Sequence, residues 1–102
     1  PLTIVGDGTQ KRDFIYVGDV ANANIIAAIK DINDSMYGEV FNIGSGQNIS
    51  INEIASMISS NQIFLPKREG EVNENLANIE KAKKHLGWLP KVTIKEWIKS
   101  QL

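Results

Sequence analysis

Residues 6–20 contain four features in immediate succession: a turn flanked by glycines, a basic pair, a run of aromatic and β-branched residues, and the start of a helical pattern. The Asp-Gly-Thr sequence at residues 7–9 predicts a turn, and residues 13–17 predict a strand. Asp19 is a candidate helix N-cap, because its carboxylate can accept hydrogen bonds from the unpaired amides of a first helical turn. Arg12 is therefore expected in a fixed loop, where its planar guanidinium could bind phosphate oxygens through two hydrogen bonds.

The pattern from Val20 to about Asp31 predicts a helix that is apolar around almost its whole circumference. A stripe at helical spacing consists of Val17, Ala21, Ile25, Ala28, Ile29 and Ile32, and it is widened by Ala23, Ile26 and Ala27. A helix this apolar is normally buried on more than one side. We therefore expect part of its surface to pack against something outside these 102 residues.

Short strands and helices alternate through the rest of the chain. Strands are predicted at residues 2–5, 39–43 and 62–65, with a further extended stretch at 72–77. The strand at 39–43 runs into a Gly-Ser-Gly loop, an arrangement typical of a βα unit in a parallel sheet. The expected fold class is α/β, a small mixed domain of short strands and about four helices.

Three further helices are predicted from the residues at their ends. Ser50 and Thr93 each stand three residues before a glutamate, the spacing of a capping box in which the glutamate reaches back to the cap. Asn78 is a candidate cap for the helix between them. That helix is expected to end at Gly87 as a left-handed residue, followed by Trp88 as its hydrophobic contact.

Composition excludes several classes of function. A net charge of −1 argues against nucleic acid or an anionic membrane as the main partner. The chain has no cysteine, which rules out disulfides and thiolate chemistry and fits a cytoplasmic protein. No apolar run approaches the roughly 18 residues of a membrane span, and no signal peptide is visible.

Because the sequence starts at Pro1 within a strand-like run, we expect it to be part of a longer protein.

Arg12 and Arg68 are the only arginines, and each follows a lysine in a loop that contains glycine. Together they could hold a diphosphate from two sides. The alternative is that each forms a surface ion pair, worth about 0–1 kcal/mol. Glu71 could accept hydrogen bonds from paired hydroxyls, or it could be an ordinary solvated carboxylate. The residues alone leave both alternatives open.

Residues for catalysis, for metal binding and for cofactor binding are not identifiable in this sequence. The single histidine, His85, lies in a lysine-rich helix pattern and is expected on the surface. Tyr16 and Tyr37 lack a lysine four residues later, so neither has the partner that would lower a tyrosine pKa for proton transfer. The two glycine loops lack the third glycine of a dinucleotide fingerprint.

The ordered set of motifs resembles the extended short-chain dehydrogenase/reductases, the NAD-dependent nucleotide-sugar epimerases and dehydratases. Residues 6–20 match the signature Gly-Asp-Gly-x-Gln-x-Arg-Asp-Phe-x-Tyr-Val-x-Asp-Val. Residues 41–44 resemble the family's later Asn-x-Gly strand end. Residues 68–72, 81–82 and 86–90 match its C-terminal pattern in order and approximate spacing.

This resemblance implies that residues 1–102 are the C-terminal, substrate-binding domain of a Rossmann-type enzyme whose N-terminal NAD-binding domain is absent here. Arg12 and Arg68 would hold the diphosphate of a nucleotide sugar, and Glu71 would reach the ribose hydroxyls. The strand around Thr3 and Val5 would line the base pocket. The remaining candidate substrate-binding residue is Gln10, in the signature itself. Asp13 and Asp19 would be structural, ordering the turn and capping the helix.

The implied activity is that of a sugar 4-epimerase or 4,6-dehydratase, most like UDP-glucose 4-epimerase, in a cytoplasmic enzyme expected to be a homodimer. NAD would be bound by the missing domain, so this chain alone is not expected to be catalytic. Two alternatives remain: a non-catalytic regulatory module that keeps the fold, or a reductase acting on a substrate without a nucleotide. The segment from Ile58 to Pro66 is shorter than the family pattern.

Overall fold

The computed structural model describes residues 1–102 and contains four α-helices and four short β-strands. The helices are α1 (Val17–Ile29), α2 (Ile51–Ile58), α3 (Glu80–Leu86) and α4 (Ile94–Gln101). The strands are β1 (Leu2–Val5), β2 (Lys11–Arg12), β3 (Ile49–Ser50) and β4 (Gln62–Leu65), and one 3-10 turn spans Asp34–Met36. The predicted mixed α/β class with about four helices is confirmed.

The strands form two separate two-stranded sheets. β1 pairs with β4 in parallel, with Val5 opposite Leu65. Helix α2 precedes β4 in the sequence and contacts β1, as a helix that connects parallel strands does. β2 pairs antiparallel with β3, with Arg12 opposite Ile49. The basic pair of the sequence is therefore held in a short strand that leads away from the glycine turn.

The largest buried cluster joins α1 to α3. It consists of Ala23, Ile79, Ala82, Leu86 and Trp88. Trp88 is fully buried, and it follows the left-handed Gly87, whose φ is +65°. The amides of Gly87 and Trp88 donate to the carbonyls of Lys83 and Ala82, which closes the end of α3 as the sequence predicts.

Local capping signals are also confirmed at the starts of α2 and α4. The hydroxyl of Ser50 accepts a hydrogen bond from the amide of Glu53, and that of Thr93 accepts one from Glu96, each at 3.1 Å. Asn78 is not the N-cap of α3, which is Ile79, although Asn78 Oδ1 accepts a hydrogen bond from the amide of Glu80, the first residue of α3, at 3.1 Å. These contacts involve residues two or three positions apart, so a short sequence window contains all the information they need.

The start of α1 differs from the prediction. No strand forms at residues 13–17, and the helix begins at Val17 and ends at Ile29. Asp19 is not the N-cap: it lies buried in the first turn, where its Oδ2 accepts hydrogen bonds from the amides of Lys91 (2.9 Å) and Val92 (3.1 Å). Those donors come from a segment more than 70 positions later. Because the carboxylate binds them, it does not cap the amides of its own helix.

Two other predicted extended segments form no strands. Residues 39–43 lie between the 3-10 turn and β3 without pairing, so the predicted parallel βα unit is absent there, and the parallel pair is β1 with β4. Residues 72–77 contribute only a single bridge, between Lys11 and Glu74. A strand needs a neighbour to satisfy its backbone groups. Residues 39–43 have no neighbouring strand, and residues 72–77 pair only where Glu74 lies beside Lys11.

No helix of this fold has the length and apolar character needed to cross a lipid bilayer.

Candidate functional site

A cavity of about 640 Å³ opens beside the glycine turn. One wall is the turn with its flanking residues, namely Val5, Gly6, Asp7, Thr9, Gln10 and Lys11, and the other is Lys67 with residues 71–74. Three of the predicted substrate-binding residues therefore share one cavity: Val5, Gln10 and Glu71. Thr3 is exposed on β1 and does not line it.

The turn is held in shape by the first turn of α2. Gly6 and Gly8 have φ values of +74° and +76°, which favour glycine. A Cβ at Gly8 would overlap Oδ1 of Asn52. The side chain and main-chain amides of Asn52 donate to the carbonyls of Asp7 and Gly8, each at 2.9 Å. This close approach needs glycine at position 8, and it ties the cavity wall to a regular helix.

Asp7 presents a stable negative charge at the cavity. Its Oδ1 accepts hydrogen bonds from the hydroxyl (2.6 Å) and the amide (3.0 Å) of Thr9. These bonds, the hydroxyl one first, lower the pKa of Asp7 below its ordinary value of 3.8, and the charge of Lys67 acts in the same direction. The cavity therefore has acidic as well as basic groups on its walls.

Gln10 connects the turn to β1. Its Nε2 donates to the carbonyl of Val5 at 2.9 Å, so one donor of this side chain is occupied within the protein. The Ile51 amide in turn donates to the Gln10 carbonyl at 3.0 Å. Gln10 thus ties the glycine turn both to the end of β1, at Val5, and to the start of α2, at Ile51.

Arg12 and Glu71 contact each other, although they lie 59 positions apart. Arg12 Nη2 is 3.4 Å from Glu71 Oε1, and the two side chains are 21% and 27% exposed. Arg12 Nη1 also donates to the carbonyl of Lys11 at 2.8 Å. The guanidinium is therefore held in place by β2 and by an acidic residue on the cavity wall.

Arg68 lies apart from this arrangement. Its side chain is exposed, forms no hydrogen bond or ion pair and does not line the cavity. Its neighbour Lys67 lines the cavity instead and packs within 3.8 Å of the position that a Cβ on Gly6 would occupy. The structure brings Arg12 to Glu71 but does not bring Arg68 to either of them.

The two basic residues of the cavity were missed by the sequence interpretation, which assigned the binding role to the arginines. Lys11 and Lys67 each precede one of those arginines. In β2, neighbouring side chains point in opposite directions, so Lys11 lines this cavity and Arg12 does not, although the Arg12 guanidinium reaches Glu71 on the cavity wall. A Lys-Arg pair in a loop marks the right segment, but which member faces the cavity depends on the pairing of β2 and on the path of the 67–74 segment.

Asp13 organises the second glycine loop. Its carboxylate accepts hydrogen bonds from the amides of Ser45 (2.7 Å), Gly46 (3.1 Å) and Ala77 (3.2 Å), and from the Ser45 hydroxyl. A Cβ on Gly44 would lie 2.9 Å from Asp13 Oδ2, so the loop passes directly over the carboxylate. Asp13 thus orders the loop at 44–46 rather than its own turn.

None of the predicted binding residues lines any of the four other main cavities. A cavity of about 360 Å³ lies between residues 45–53 and 90–95. No three histidine, aspartate or glutamate side chains lie close enough to hold a metal ion. The cavity beside the glycine turn is therefore the candidate site.

Comparison with known proteins extends over nearly the whole chain. Residues 1–101 match the family model of GDP-mannose 4,6 dehydratase. A UDP-glucuronate 4-epimerase of Thermodesulfobacterium geofontis is 39% identical over 106 aligned positions, which cover 97% of this chain and 31% of that protein.

Solved structures agree with the sequence comparison. The UDP-glucose 4-epimerase of Thermotoga maritima with UDP-glucose superposes with a TM-score of 0.83 at 36% identity, over 96% of this chain and 32% of that one. The UDP-glucuronic acid 4-epimerase of Bacillus cereus, in complex with UDP-glucuronic acid and NAD, gives 0.83 at 36% identity, over 100% and 36%. The chain spans about a third of the length of these relatives. On the match over residues 1–101, it belongs to the GDP-mannose 4,6 dehydratase family, within the NAD-dependent nucleotide-sugar epimerases and dehydratases that its motifs resemble.

Proposed function

We propose that residues 1–102 are the substrate-binding, C-terminal portion of a UDP-sugar 4-epimerase, and that they bind the diphosphate and ribose of its nucleotide-sugar substrate. The observation that carries this proposal is the contact between Arg12 and Glu71 beside the 640 Å³ cavity. It joins a group suited to phosphate oxygens with a group suited to hydroxyls.

This pair is suited to exchange partners when a substrate enters. The 3.4 Å separation is long for a charge-assisted hydrogen bond, and a partly exposed ion pair is worth only about 0–1 kcal/mol. A diphosphate would replace Glu71 on Arg12 through shorter, bidentate bonds. The Glu71 carboxylate would then be free to accept hydrogen bonds from the ribose hydroxyls. Before binding, the pair keeps the guanidinium oriented.

Further positive charge surrounds Arg12. Lys11 and Lys67 line the cavity, while Arg68 is exposed and unpaired in the same loop as Lys67 and would have to turn toward a bound anion to contact it. The cavity also contains the carboxylates of Asp7 and Glu74, so its walls are not uniformly positive. A diphosphate would therefore be placed by specific contact with arginine rather than by a general positive field.

The nucleotide base would lie against the end of β1. Val5 lines the cavity, which supports its assignment to the base pocket, whereas Thr3 lies outside the cavity. The relatives named above are 4-epimerases of UDP-sugars, which supports a 4-epimerase with a uridine nucleotide over a 4,6-dehydratase.

NAD does not fit the glycine loops of this chain. A dinucleotide cradle needs free amides at the start of a helix. The amides of Ser45 and Gly46 already donate to Asp13, and the turn at residues 6–8 leads into β2 rather than into a helix. The NAD of the proposed epimerase would be held by another part of the protein, and no residue here is assigned to the chemical step.

Homodimer formation and a cytoplasmic location stay predictions.

Calorimetry with three ligands tests the binding role in the complete protein that contains these residues. UDP-glucose, UDP and uridine are titrated separately. The diphosphate contact predicts that UDP retains most of the affinity of UDP-glucose and that uridine loses it. Equal affinity for uridine and UDP would contradict the proposal. A non-catalytic module would bind UDP-glucose but would not convert it to UDP-galactose.

A further inference from the structure

Two carboxylates on the wall of the candidate site have no ion-pair partner. Asp7 and Glu74 both line the 640 Å³ cavity beside the glycine turn, and neither forms a salt bridge. Glu71, the third acidic residue of the cavity, is by contrast paired with Arg12. Unpaired negative charge on the walls opposes the binding of a diphosphate, so affinity for the substrate does not explain these two carboxylates.

The protein holds the Asp7 carboxylate in a fixed position. Its Oδ1 accepts hydrogen bonds from the hydroxyl and the amide of Thr9, at 2.6 and 3.0 Å, while its Oδ2 accepts none. The backbone of the same turn is tied to α2, because the side chain and the amide of Asn52 donate to the carbonyls of Asp7 and Gly8. Asp7 therefore cannot turn away from a bound anion without breaking these bonds.

Glu74 is fixed on the other wall of the cavity. Its Oε1 accepts a hydrogen bond from Asn48 Nδ2 at 2.8 Å. The residues on either side of Glu74 are tied to β2, because the Lys11 amide donates to the carbonyl of Asn73 (2.8 Å) and the Lys11 carbonyl accepts from the amide of Asn75 (3.2 Å). Each wall of the cavity thus holds one unpaired carboxylate in place.

The cavity is small enough for both charges to act on any ligand inside it. A volume of about 640 Å³ corresponds to a width on the order of 9 Å, and the Debye length is about 10 Å at 0.1 M salt, so screening is incomplete. The three carboxylates of the cavity also balance the charges of Lys11, Lys67 and Arg12. A ligand therefore meets no net positive charge, and each additional negative charge on it is repelled by the unpaired carboxylates.

Nucleotide sugars and free nucleotides differ in the charge of their phosphates. Each phosphate of a nucleotide sugar is bonded on two sides and carries a single negative charge. The terminal phosphate of a free nucleotide carries a charge of about −1.5 to −2 at pH 7, and a nucleoside triphosphate has a third phosphate in addition. Repulsion from the cavity walls is therefore weakest for the nucleotide sugar and strongest for the triphosphate.

We propose that Asp7 and Glu74 are specificity-determining residues, which admit the diphosphate of a nucleotide sugar and exclude nucleoside triphosphates. This inference rests on the proposed function, because it assumes that the cavity binds the diphosphate. Arg12 provides an attraction that every nucleotide shares, whereas the two unpaired carboxylates weaken the binding of the more highly charged nucleotides. The acidic residues of the cavity thereby select among ligands that its basic residues alone would not distinguish.

Isosteric substitutions remove each charge and keep its hydrogen bonds. The amide oxygen in Asp7→Asn can still accept from Thr9, and that in Glu74→Gln can still accept from Asn48. Glu69→Gln is the matched control, since Glu69 is an exposed carboxylate near the cavity that does not line it. Calorimetry at low salt measures the affinities of UDP-glucose and UTP for the complete protein and for the three variants.

The unaltered protein is expected to bind UDP-glucose at least about tenfold more tightly than UTP. For unit charges about 7 Å apart in water, Coulomb's law gives a factor of about three, so Asp7→Asn and Glu74→Gln should each lower this ratio at least about threefold. Glu69→Gln should leave it unchanged. In 1 M salt, where the Debye length is about 3 Å, the ratio in the unaltered protein should also fall.

The same ratio of UDP-glucose to UTP affinity in the unaltered protein and in both cavity variants would overturn the inference and leave the diphosphate site intact. Where a variant fails to fold, the unaltered protein decides, because a ratio that does not change with salt would also overturn the inference. If the unaltered protein does not bind UDP-glucose at all, the proposed function is overturned, and this inference with it.

Discussion

Arg12 Nη2 lies 3.4 Å from Glu71 Oε1, and this contact connects the short strand β2 to the segment that forms the far wall of the cavity. It is a weak bond in itself, since partly exposed ion pairs contribute about 0–1 kcal/mol. Its consequence is positional, because it holds the guanidinium beside the cavity that Val5, Gln10 and Glu71 line.

Removing either arginine is expected to weaken UDP-glucose binding. Arg12→Ala and Arg68→Ala should each cost about 1–3 kcal/mol of binding free energy in the complete protein, the range for charge-assisted hydrogen bonds. Calorimetry measures the change, with Lys83→Ala, on the exposed surface of α3, as the control. Unchanged affinity in both arginine variants would contradict the diphosphate clamp.

Lys67→Ala tests whether Lys67 or Arg68 contacts the diphosphate. A loss with Lys67→Ala but not with Arg68→Ala would assign the second phosphate contact to the lysine that already lines the cavity.

Glu71→Gln should change the recognition of ribose. In the proposed complex the Glu71 carboxylate accepts hydrogen bonds from both ribose hydroxyls, and an amide is a weaker acceptor. The unaltered protein is expected to prefer UDP over 2′-deoxy-UDP, and Glu71→Gln should lose most of that preference. Competition binding with the two nucleotides measures it. The same preference in the variant would exclude Glu71 from the ribose site.

Gly8→Ala is expected to destabilise the protein more than Gly38→Ala. Both glycines have positive φ values, +76° and +78°, so both alanines are strained by about 1–2 kcal/mol. A Cβ at Gly8 also overlaps the Asn52 side chain, whereas one at Gly38 has nothing within 4 Å. Thermal unfolding should show the extra cost at position 8. Equal destabilisation would mean that the Asn52 contact is not tightly packed.

Asp13→Asn should loosen the loop at residues 44–46. The carboxylate accepts four hydrogen bonds, and hydrogen bonds to charged groups contribute about 1.5–3 kcal/mol. An amide has one acceptor oxygen and brings two hydrogens into a cluster of donors. Denaturant unfolding should show a loss in this range, against Asp31→Asn at an exposed position as the control. Identical stability in both variants would contradict the structural role of Asp13.

The pKa of Asp7 should respond to Thr9. A carboxyl whose pKa is depressed on folding stabilises the protein above its unfolded pKa, and this contribution is lost as the pH falls through the folded pKa. The Thr9 bonds are the main cause of the depression, so Thr9→Val should raise the pKa of Asp7 toward its ordinary value of 3.8. Carbon-13 NMR titration of the carboxyl measures it. The same pKa in both proteins would refute this cause.

Short-range interactions were predictable from the sequence. The caps at Ser50 and Thr93 and the end of α3 at Gly87 involve residues three to six positions apart, so propensity and spacing determine them. The strands at residues 2–5 and 62–65 were also predicted, because their β-branched and aromatic content is high over four residues. The signature at residues 6–20 identified the family.

Interactions between distant segments required the tertiary structure. Asp19 has the sequence context of a helix cap, yet its carboxylate binds amides 72 and 73 positions later. Residues 39–43 have the composition of a strand, yet no neighbouring strand pairs with them. A basic pair marks the loop at 67–68, but the path of the backbone makes Lys67 rather than Arg68 line the cavity. The sequence by itself determined the starts of α2 and α4, the end of α3, two strands and the family, since those depend on neighbours within a few residues. Only the tertiary structure decided the partners of Asp19, Arg12 and Lys67, because each is a contact between segments whose relative position no local pattern specifies.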